Sequence, residues 1–75
     1  MRGWGVQTNY AEAVRLLKQG MDRNDPRAYN NMGIAYYNGW GVMRDVDKAA
    51  DLWRYAAKKG DAAAKDNLDR LIYRV

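Results

Sequence analysis

Apolar residues recur at helical spacing in four stretches of the chain. In one pattern they occupy positions i, i+3, i+4, i+7 and i+11, which form one face of an α-helix. This B-type pattern occurs twice, at Tyr10, Ala13, Val14, Leu17 and Met21 and again at Val46, Ala49, Ala50, Trp53 and Ala57. A second, A-type pattern also occurs twice, at Ala28, Met32, Ala35 and Tyr36 and again at Ala64, Leu68, Leu71 and Ile72. The patterns predict an all-α fold of four antiparallel amphipathic helices.

A repeat of 36 residues organises these helices. The tetrapeptide Gly-Trp-Gly-Val stands at 3–6 and returns at 39–42, and the same shift aligns Asn31 with Asn67. Self-similarity at such a period is typical of helical solenoids. We therefore predict a single domain over residues 1–75, made of a partial repeat without its A-type helix (1–24), a complete repeat (25–60) and a partial repeat that forms a capping helix (61–75).

Polar residues stand where the predicted helices begin. Asp25, Asp45 and Asp61 can each accept a hydrogen bond from the free amides of a first helical turn. We expect Asn9 to cap the first helix in the same way, with Glu12 completing a capping box. Each predicted helix therefore has a start signal of its own.

Glycines mark the predicted helix ends. Gly39 and Gly60 suit the left-handed conformation that closes a helix, and neither carries a Cβ that would resist it. We expect the same role for Gly20, although it comes four residues before the repeat predicts. The end of the first helix is thus the least defined boundary.

Residues 26–61 resemble one complete Sel-one-like repeat, a relative of the tetratricopeptide repeat. The resemblance rests on small, aromatic and glycine positions: Ala28, Met32, Gly33, Tyr36, Gly39, Gly41, Val42, Asp45, Ala49, Trp53, Ala56, Ala57 and Gly60. It implies a right-handed α-solenoid of about two repeats that works as an adaptor in protein complexes. The family includes bacterial signalling scaffolds, secreted interaction proteins and immunity proteins that block toxic effectors.

The chain departs from the family pattern in ways that affect packing. Asp69 stands where the complete repeat has Gly33, so we expect the last helix to be an outer, solvated cap. The first repeat has no A-type helix, so its B-type helix, with Val14, Leu17 and Met21, lacks part of its cover. A longer solenoid, a second copy of the chain or another partner would each supply that cover.

The absence of cysteine and histidine narrows the chemistry. It removes disulfides, thiol catalysis, charge-relay hydrolysis and most zinc sites. Glu12 is the only glutamate, and no phosphate-binding loop or hydrolase motif occurs. We therefore expect a protein that is not an enzyme and that binds no metal or cofactor.

The net charge of +4 raises the question of nucleic acid. A nucleic-acid surface would gather lysine and arginine into one stripe, whereas here acidic and basic residues alternate along the predicted helices. We expect an acidic protein partner in preference to nucleic acid, with a basic nucleic-acid-binding module as the weaker alternative.

The predicted binding surface combines two areas. By analogy with tetratricopeptide repeats, the concave wall carries the A-type residues outside the packing stripe: Arg27, Asn30, Ile34, Tyr37, Asn38, Asp66, Arg70, Tyr73 and Arg74. Trp4 and Trp40 occupy equivalent loops and form the second area, a Trp-bearing loop edge. The opposing interpretations are an ordinary solvated face for the wall and tryptophans that fold over helix ends.

These features predict a protein–protein interaction module, used as a bacterial scaffold or as an immunity-type inhibitor. The alternative is a self-assembling fragment of a longer repeat protein, a homodimer or domain-swapped dimer formed through the uncovered first helix. The sequence contains neither a signal peptide nor a membrane span. We therefore expect a cytoplasmic location, with a periplasmic or secreted one left open for a mature fragment.

Overall fold

A computed structural model describes the backbone of residues 9–73 and the side chains of residues 9–72. This part of the chain forms helices α1 (Tyr10–Asp22), α2 (Pro26–Asn38), α3 (Val46–Lys58) and α4 (Ala62–Tyr73). Helices α1 and α3 carry the B-type pattern, and α2 and α4 carry the A-type pattern. The prediction of an all-α fold with four helices is confirmed.

Aspartates cap three of the four helices. The Asp25 carboxylate accepts a hydrogen bond from the Arg27 amide at 3.0 Å, and Asp45 accepts one from the Lys48 amide at 3.1 Å. Asp61 binds the first-turn amides of α4 in the same manner. These bonds satisfy backbone donors that a helix leaves without an intrahelical acceptor, so the three predicted caps are confirmed.

The predicted cap of the first helix is wrong. Asn9 precedes α1, but its side chain makes no capping hydrogen bond to the helix. Glu12 does not complete a capping box and instead forms a hydrogen-bonded ion pair with Arg15, one turn further along the same helix. The first turn of α1 is thus stabilised by a surface ion pair instead of a reciprocal cap.

Two residues with a left-handed backbone conformation follow the ends of α1 and α3, and they lie one repeat apart. Gly60 has φ +103° and Asn24, 36 positions earlier, has φ +62°. The prediction for Gly20 is wrong, because Gly20 lies inside α1. A Cβ at Gly20 would lie 2.7 Å from the Cβ of Ala28, so this glycine allows α1 and α2 to approach closely. Gly39 ends α2 with φ +74°, as predicted.

The core consists of two clusters of buried residues. One joins Val14 of α1 to Met32 and Ala35 of α2, and the other contains Ala49, Trp53, Ala56 and Ala64. Helix α3 is packed by both α2 and α4, whereas α1 is packed by α2. Among the described helices, α3 is therefore covered on two sides and α1 on one.

Helices α2 and α3 approach closely at the core cluster that contains Trp53. A Cβ at Gly33 would lie 2.5 Å from the Trp53 indole nitrogen, so only glycine admits the ring at this distance. Asp69, one repeat after Gly33, is partly exposed and pairs with Lys65 at 3.1 Å. The Asp69 carboxylate is thus accessible to solvent, and the role of α4 as an outer cap stays a prediction.

Candidate protein-binding site

A groove runs between α2 and α4, with α3 as its floor. We call it the α2–α4 groove, and its volume is about 870 Å³. Its lining is Ile34, Tyr37 and Asn38 from α2, Trp53 from α3, and Asn67, Asp69, Arg70 and Leu71 from α4. Four residues of the predicted wall therefore line one groove: Ile34, Tyr37, Asn38 and Arg70.

Tyr37 is held in place from two sides. Its ring lies against the Trp53 indole, with ring centroids 5.8 Å apart and planes inclined at 40°. The guanidinium carbon of Arg44 lies 5.6 Å from the centre of the Tyr37 ring. Arg44 also donates its Nε–H to the Tyr37 carbonyl oxygen at 2.9 Å, which fixes the loop after α2 to the helix. The groove thus has a preformed aromatic wall and a cation beside it.

The wall formed by α4 carries an exposed, charged side chain at Arg70. Arg70 donates to the Asp66 carboxylate at 2.8 Å, and both side chains are well exposed. Such a surface pair is weak and can be exchanged for an ion pair with a ligand at small cost. On the facing wall, the Asn38 amide donates to the Ile34 carbonyl at 3.0 Å and is exposed. The groove can therefore offer hydrogen bonds and a guanidinium around apolar area.

Asn30 corrects the sequence prediction. We expected this side chain on an open surface, but Asn30 is 7% exposed. Its carbonyl oxygen accepts the Trp53 Nε1–H at 3.1 Å, and its Oδ1 accepts the Asn67 amide at 2.9 Å. Asn30 therefore holds α2, α3 and α4 together beneath the groove and is not available for direct contact with a partner in this conformation.

The remaining predicted wall residues lie apart from the groove lining or outside the described part of the chain. Arg27 stands at the start of α2, exposed, with its Nε 3.6 Å from the Asp25 carboxylate. Asp66 reaches the groove only through Arg70. Trp4, the Tyr73 side chain and Arg74 lie outside the described residues.

A second groove lies between α1 and α2. This α1–α2 groove, with a volume of about 430 Å³, is lined by Tyr10, Ala13, Val14, Leu16, Leu17, Asn31, Ile34, Ala35 and Trp40. The Trp40 and Tyr10 rings stack at its edge, with centroids 5.2 Å apart and planes 4° from parallel. Trp40 is still 42% exposed. It packs on Tyr10 at the start of α1, as the second interpretation expects, and its use as an interface anchor stays a prediction.

Several groove residues escaped the sequence prediction. Asn67, Asp69 and Leu71 line the α2–α4 groove, and Arg44 stands beside it. The repeat contained part of the signal, because Asn67 is the equivalent of Asn31 and both line a groove. Arg44 lies in a loop, where helical periodicity does not predict which way a side chain points.

The shifted titratable groups lie outside both grooves. The hydrogen bond and charge of Arg15 lower the pKa of Glu12, and the same contacts raise the pKa of Arg15. Burial against its neighbours, with the nearby Tyr55, raises the pKa of Tyr29. Among the described residues no cluster of acidic side chains is arranged to hold a metal ion. Nor does any described helix have the length and apolar character needed to cross a bilayer.

Comparison with known proteins agrees with this architecture. The Sel1 repeat profile matches residues 1–25 and 26–61. The chain belongs to the Sel1 repeat family. This membership identifies it as a helical repeat module of the protein–protein interaction type. The family boundaries coincide with the described helices, since the second match begins at the first residue of α2 and ends just before α4.

One curated relative is a plant protein. The chain is 34% identical over 50 residues to the ERAD-associated E3 ubiquitin-protein ligase component HRD3B of Arabidopsis thaliana. The match covers 65% of this chain and 8% of that relative, so the chain corresponds to a small part of a much longer protein. No solved structure gives a significant match.

Proposed function

We propose that this Sel1 repeat protein is a non-catalytic adaptor that binds a protein or peptide segment in the α2–α4 groove. The observation that carries the proposal is the composition of that groove, in which Tyr37 stands on the Trp53 floor opposite Arg70. Rigid aromatic area beside hydrogen-bonding groups is typical of protein interfaces. The Trp40 loop edge would serve as a second contact area.

Charge favours a segment that carries a carboxylate. Arg44 takes no part in the ion pairs formed among the described residues, and Arg70 pairs only with an exposed aspartate. An acidic side chain beside Arg70 in the groove, or beside Arg44 at Tyr37, would gain charge-assisted hydrogen bonds. The expected ligand is therefore an extended segment with an apolar or aromatic anchor next to an acidic residue.

The plant relative supports an assembly role of this kind. Its name describes a component of a ligase, and a component holds its place in an assembly by contacts with other proteins. We infer a scaffold role for the present chain in preference to an inhibitor of the immunity type, because the scaffold role agrees with that relative.

Peptide selection followed by calorimetry tests the proposal. The immobilised chain would be screened with a library of random dodecapeptides, and the selected peptides would be titrated against variants. We expect Arg70→Ala and Asn38→Ala each to weaken binding by roughly fivefold to thirtyfold, which corresponds to about 1–2 kcal/mol. Both side chains are exposed, so these variants should fold normally.

Arg54→Ala is the matched control for Arg70→Ala. Arg54 is also exposed and also pairs with an aspartate on its own helix, at 2.7 Å, but it does not line the groove. We expect this variant to bind within about twofold of the original chain. Selected peptides that bind Arg70→Ala, Asn38→Ala and Arg54→Ala equally well would refute the proposed surface.

A further inference from the structure

Two asparagine side chains stand on opposite walls of the α2–α4 groove. Asn38 belongs to α2 and Asn67 to α4, and both line the groove. The Asn38 Nδ2 group donates to the Ile34 carbonyl oxygen at 3.0 Å, and the Asn67 Nδ2 group donates to Asn30 Oδ1 at 2.9 Å. Each side-chain amide is therefore held in one orientation by a hydrogen bond that it donates within the chain.

This orientation leaves the oxygen of each amide available to a ligand. The bonds to Ile34 and Asn30 use the nitrogen, whereas the oxygen of an asparagine is an acceptor. No described residue donates a hydrogen bond to Asn38 Oδ1 or to Asn67 Oδ1. The groove thus presents one acceptor from each wall. A ligand that displaces water from these oxygens must supply donors, because an acceptor buried without a partner weakens binding.

The main chain of an extended segment supplies donors in this arrangement. Successive N–H groups of an extended chain point to opposite sides of the backbone, and the side chains alternate above and below it. A segment that lies along the groove therefore directs N–H groups at both walls while every second side chain faces the Trp53 floor. A helical ligand cannot do this, because most of its N–H groups are bonded within the helix.

The positions of the two asparagines set the register of such a segment. The bond to Asn30 places the Asn67 amide beside Asn30, and Asn38 follows Asn30 by eight positions along α2. At about 1.5 Å per helical residue this offset is about 12 Å, which corresponds to about three to four residues of extended chain. Acceptors on opposite walls require an odd separation, and the odd number in this range is three.

We propose that Asn38 and Asn67 recognise the main chain of an extended ligand segment, with each side-chain oxygen accepting one of two N–H groups that lie three residues apart. This inference rests on the proposed function, because it concerns the same groove. It divides recognition into two tasks. The asparagines bind a backbone of any sequence, whereas the Trp53 floor and Arg70 select the side chains of the ligand.

A lysine side chain is the other kind of donor that a ligand could offer. One ammonium group cannot reach two acceptors about 12 Å apart, since a hydrogen bond spans about 3 Å. Two lysines at matching positions would be needed, whereas every extended segment without proline at these positions carries both N–H groups. The arrangement of Asn38 and Asn67 therefore favours main-chain donors.

Amide-to-ester replacement in a selected peptide tests the assignment. Each main-chain N–H of the tightest peptide from the dodecapeptide selection is replaced in turn by an ester oxygen, which removes the donor and adds no bulk. Binding of each ester is measured by calorimetry. We expect two sensitive positions, three residues apart, each weakening binding by about fivefold to tenfold. No sensitive position, or two separated by an even number of residues, overturns the proposal.

A double-mutant cycle identifies the partner of each N–H group. Asn38→Ala should weaken binding of the unmodified peptide but have little further effect on the ester that lacks its N–H partner. Asn67→Ala is combined with the other ester once its unfolding curve shows that it is folded at the assay temperature. If it is not folded, the Asn38 cycle decides the proposal. Effects of Asn38→Ala and the esters that multiply independently overturn it.

Asn31→Ala is the matched control for Asn38→Ala. Asn31 is also an exposed asparagine of α2, but it does not line the α2–α4 groove. We expect no coupling between this variant and either ester. Coupling as large as that of Asn38→Ala would overturn the assignment of the acceptor. Replacement of each peptide lysine by norleucine completes the control, because a replacement that abolishes the effect of Asn38→Ala would identify a side-chain donor and overturn main-chain recognition.

The same measurements separate this inference from the proposed function. Weaker binding by Arg70→Ala together with uncoupled esters keeps the groove as the binding site and overturns main-chain recognition alone. Unchanged binding by both Arg70→Ala and Asn38→Ala refutes the proposed surface, and main-chain recognition with it. Weaker binding by Arg70→Ala together with esters coupled to Asn38→Ala supports both.

Discussion

The α2–α4 groove and the α1–α2 groove occupy the same repeat positions but differ in chemistry. The first lies between two A-type helices and bears Asn38, Asp69 and Arg70, whereas the second has one A-type helix beside it in the described part of the chain and is almost entirely apolar. One pair of equivalent residues illustrates the difference: the first groove has Arg70 at the repeat position where the second has Ile34. The same repeat position is therefore polar in one groove and apolar in the other.

The largest difference in the free energy of unfolding is expected when the residue at the floor of each groove is replaced by alanine. Trp53→Ala deletes a buried ring and its hydrogen bond to Asn30, and we expect a loss of about 3–5 kcal/mol in the free energy of unfolding. Leu17→Ala at the equivalent, half-buried position should cost about 1–2 kcal/mol. Urea unfolding followed by circular dichroism measures both. Equal losses would mean that the two floors are equally covered.

The two asparagines should differ in the same direction. Asn67→Ala leaves the buried Asn30 Oδ1 without its donor, so we expect a loss of about 1–2 kcal/mol. Asn31→Ala alters an exposed side chain and should change the free energy of unfolding by no more than about 0.5 kcal/mol. Thermal unfolding of both variants checks this. A large loss at Asn31 would show that its amide already has a structural role.

Glycine at the α2–α3 contact should be more sensitive than its equivalent in α4. Gly33→Ala places a Cβ against the Trp53 ring, and we expect a net loss of about 1 kcal/mol despite the better helix propensity of alanine. Asp69→Ala removes an exposed ion pair and should change stability by less than about 0.5 kcal/mol. Denaturation midpoints of the two variants give the comparison. A stabilised Gly33→Ala variant would contradict the close contact.

The smallest effect concerns the outer surface of α1. Arg15 lowers the pKa of Glu12 in the folded chain, so the ion pair contributes stability at neutral pH and loses it as the pH falls through the folded pKa. We expect Glu12→Gln to flatten the acid limb of the stability curve slightly and to leave neutral stability nearly unchanged. Unfolding midpoints between pH 3 and 7 measure it, and an unaltered acid limb would assign the acid dependence to other carboxylates.

Local signals explain why much of the fold could be predicted. The 36-residue shift and the apolar spacing locate all four helices, and Asp25, Asp45 and Asp61 act at the helix starts as their chemistry predicts. At the end of α1, the 36-residue period predicts the position of the left-handed residue correctly, whereas the presence of a glycine at position 20 does not. Asn24 takes the left-handed conformation at the position equivalent to Gly60, because asparagine tolerates it better than most residues.

Tertiary packing explains what could not be predicted. Asn30 lies outside the apolar stripe of α2, and only the approach of α3 and α4 buries it and gives its oxygens two donors. The groove itself depends on where α4 crosses α3, so Asn67 and Leu71 join Tyr37 only in three dimensions. The direction of Arg44 depends on the loop that follows Gly39, which no helical period describes.

The most direct test of the binding surface is the NMR spectrum of the labelled chain with a peptide selected for binding. Trp53 forms the floor of the α2–α4 groove and donates its indole proton beneath it, whereas Trp40 belongs to the other groove. We predict that the Trp53 indole signal shifts with added peptide and saturates with the amides of Tyr37 and Arg70. A spectrum in which these three signals stay in place while the peptide binds would contradict the account.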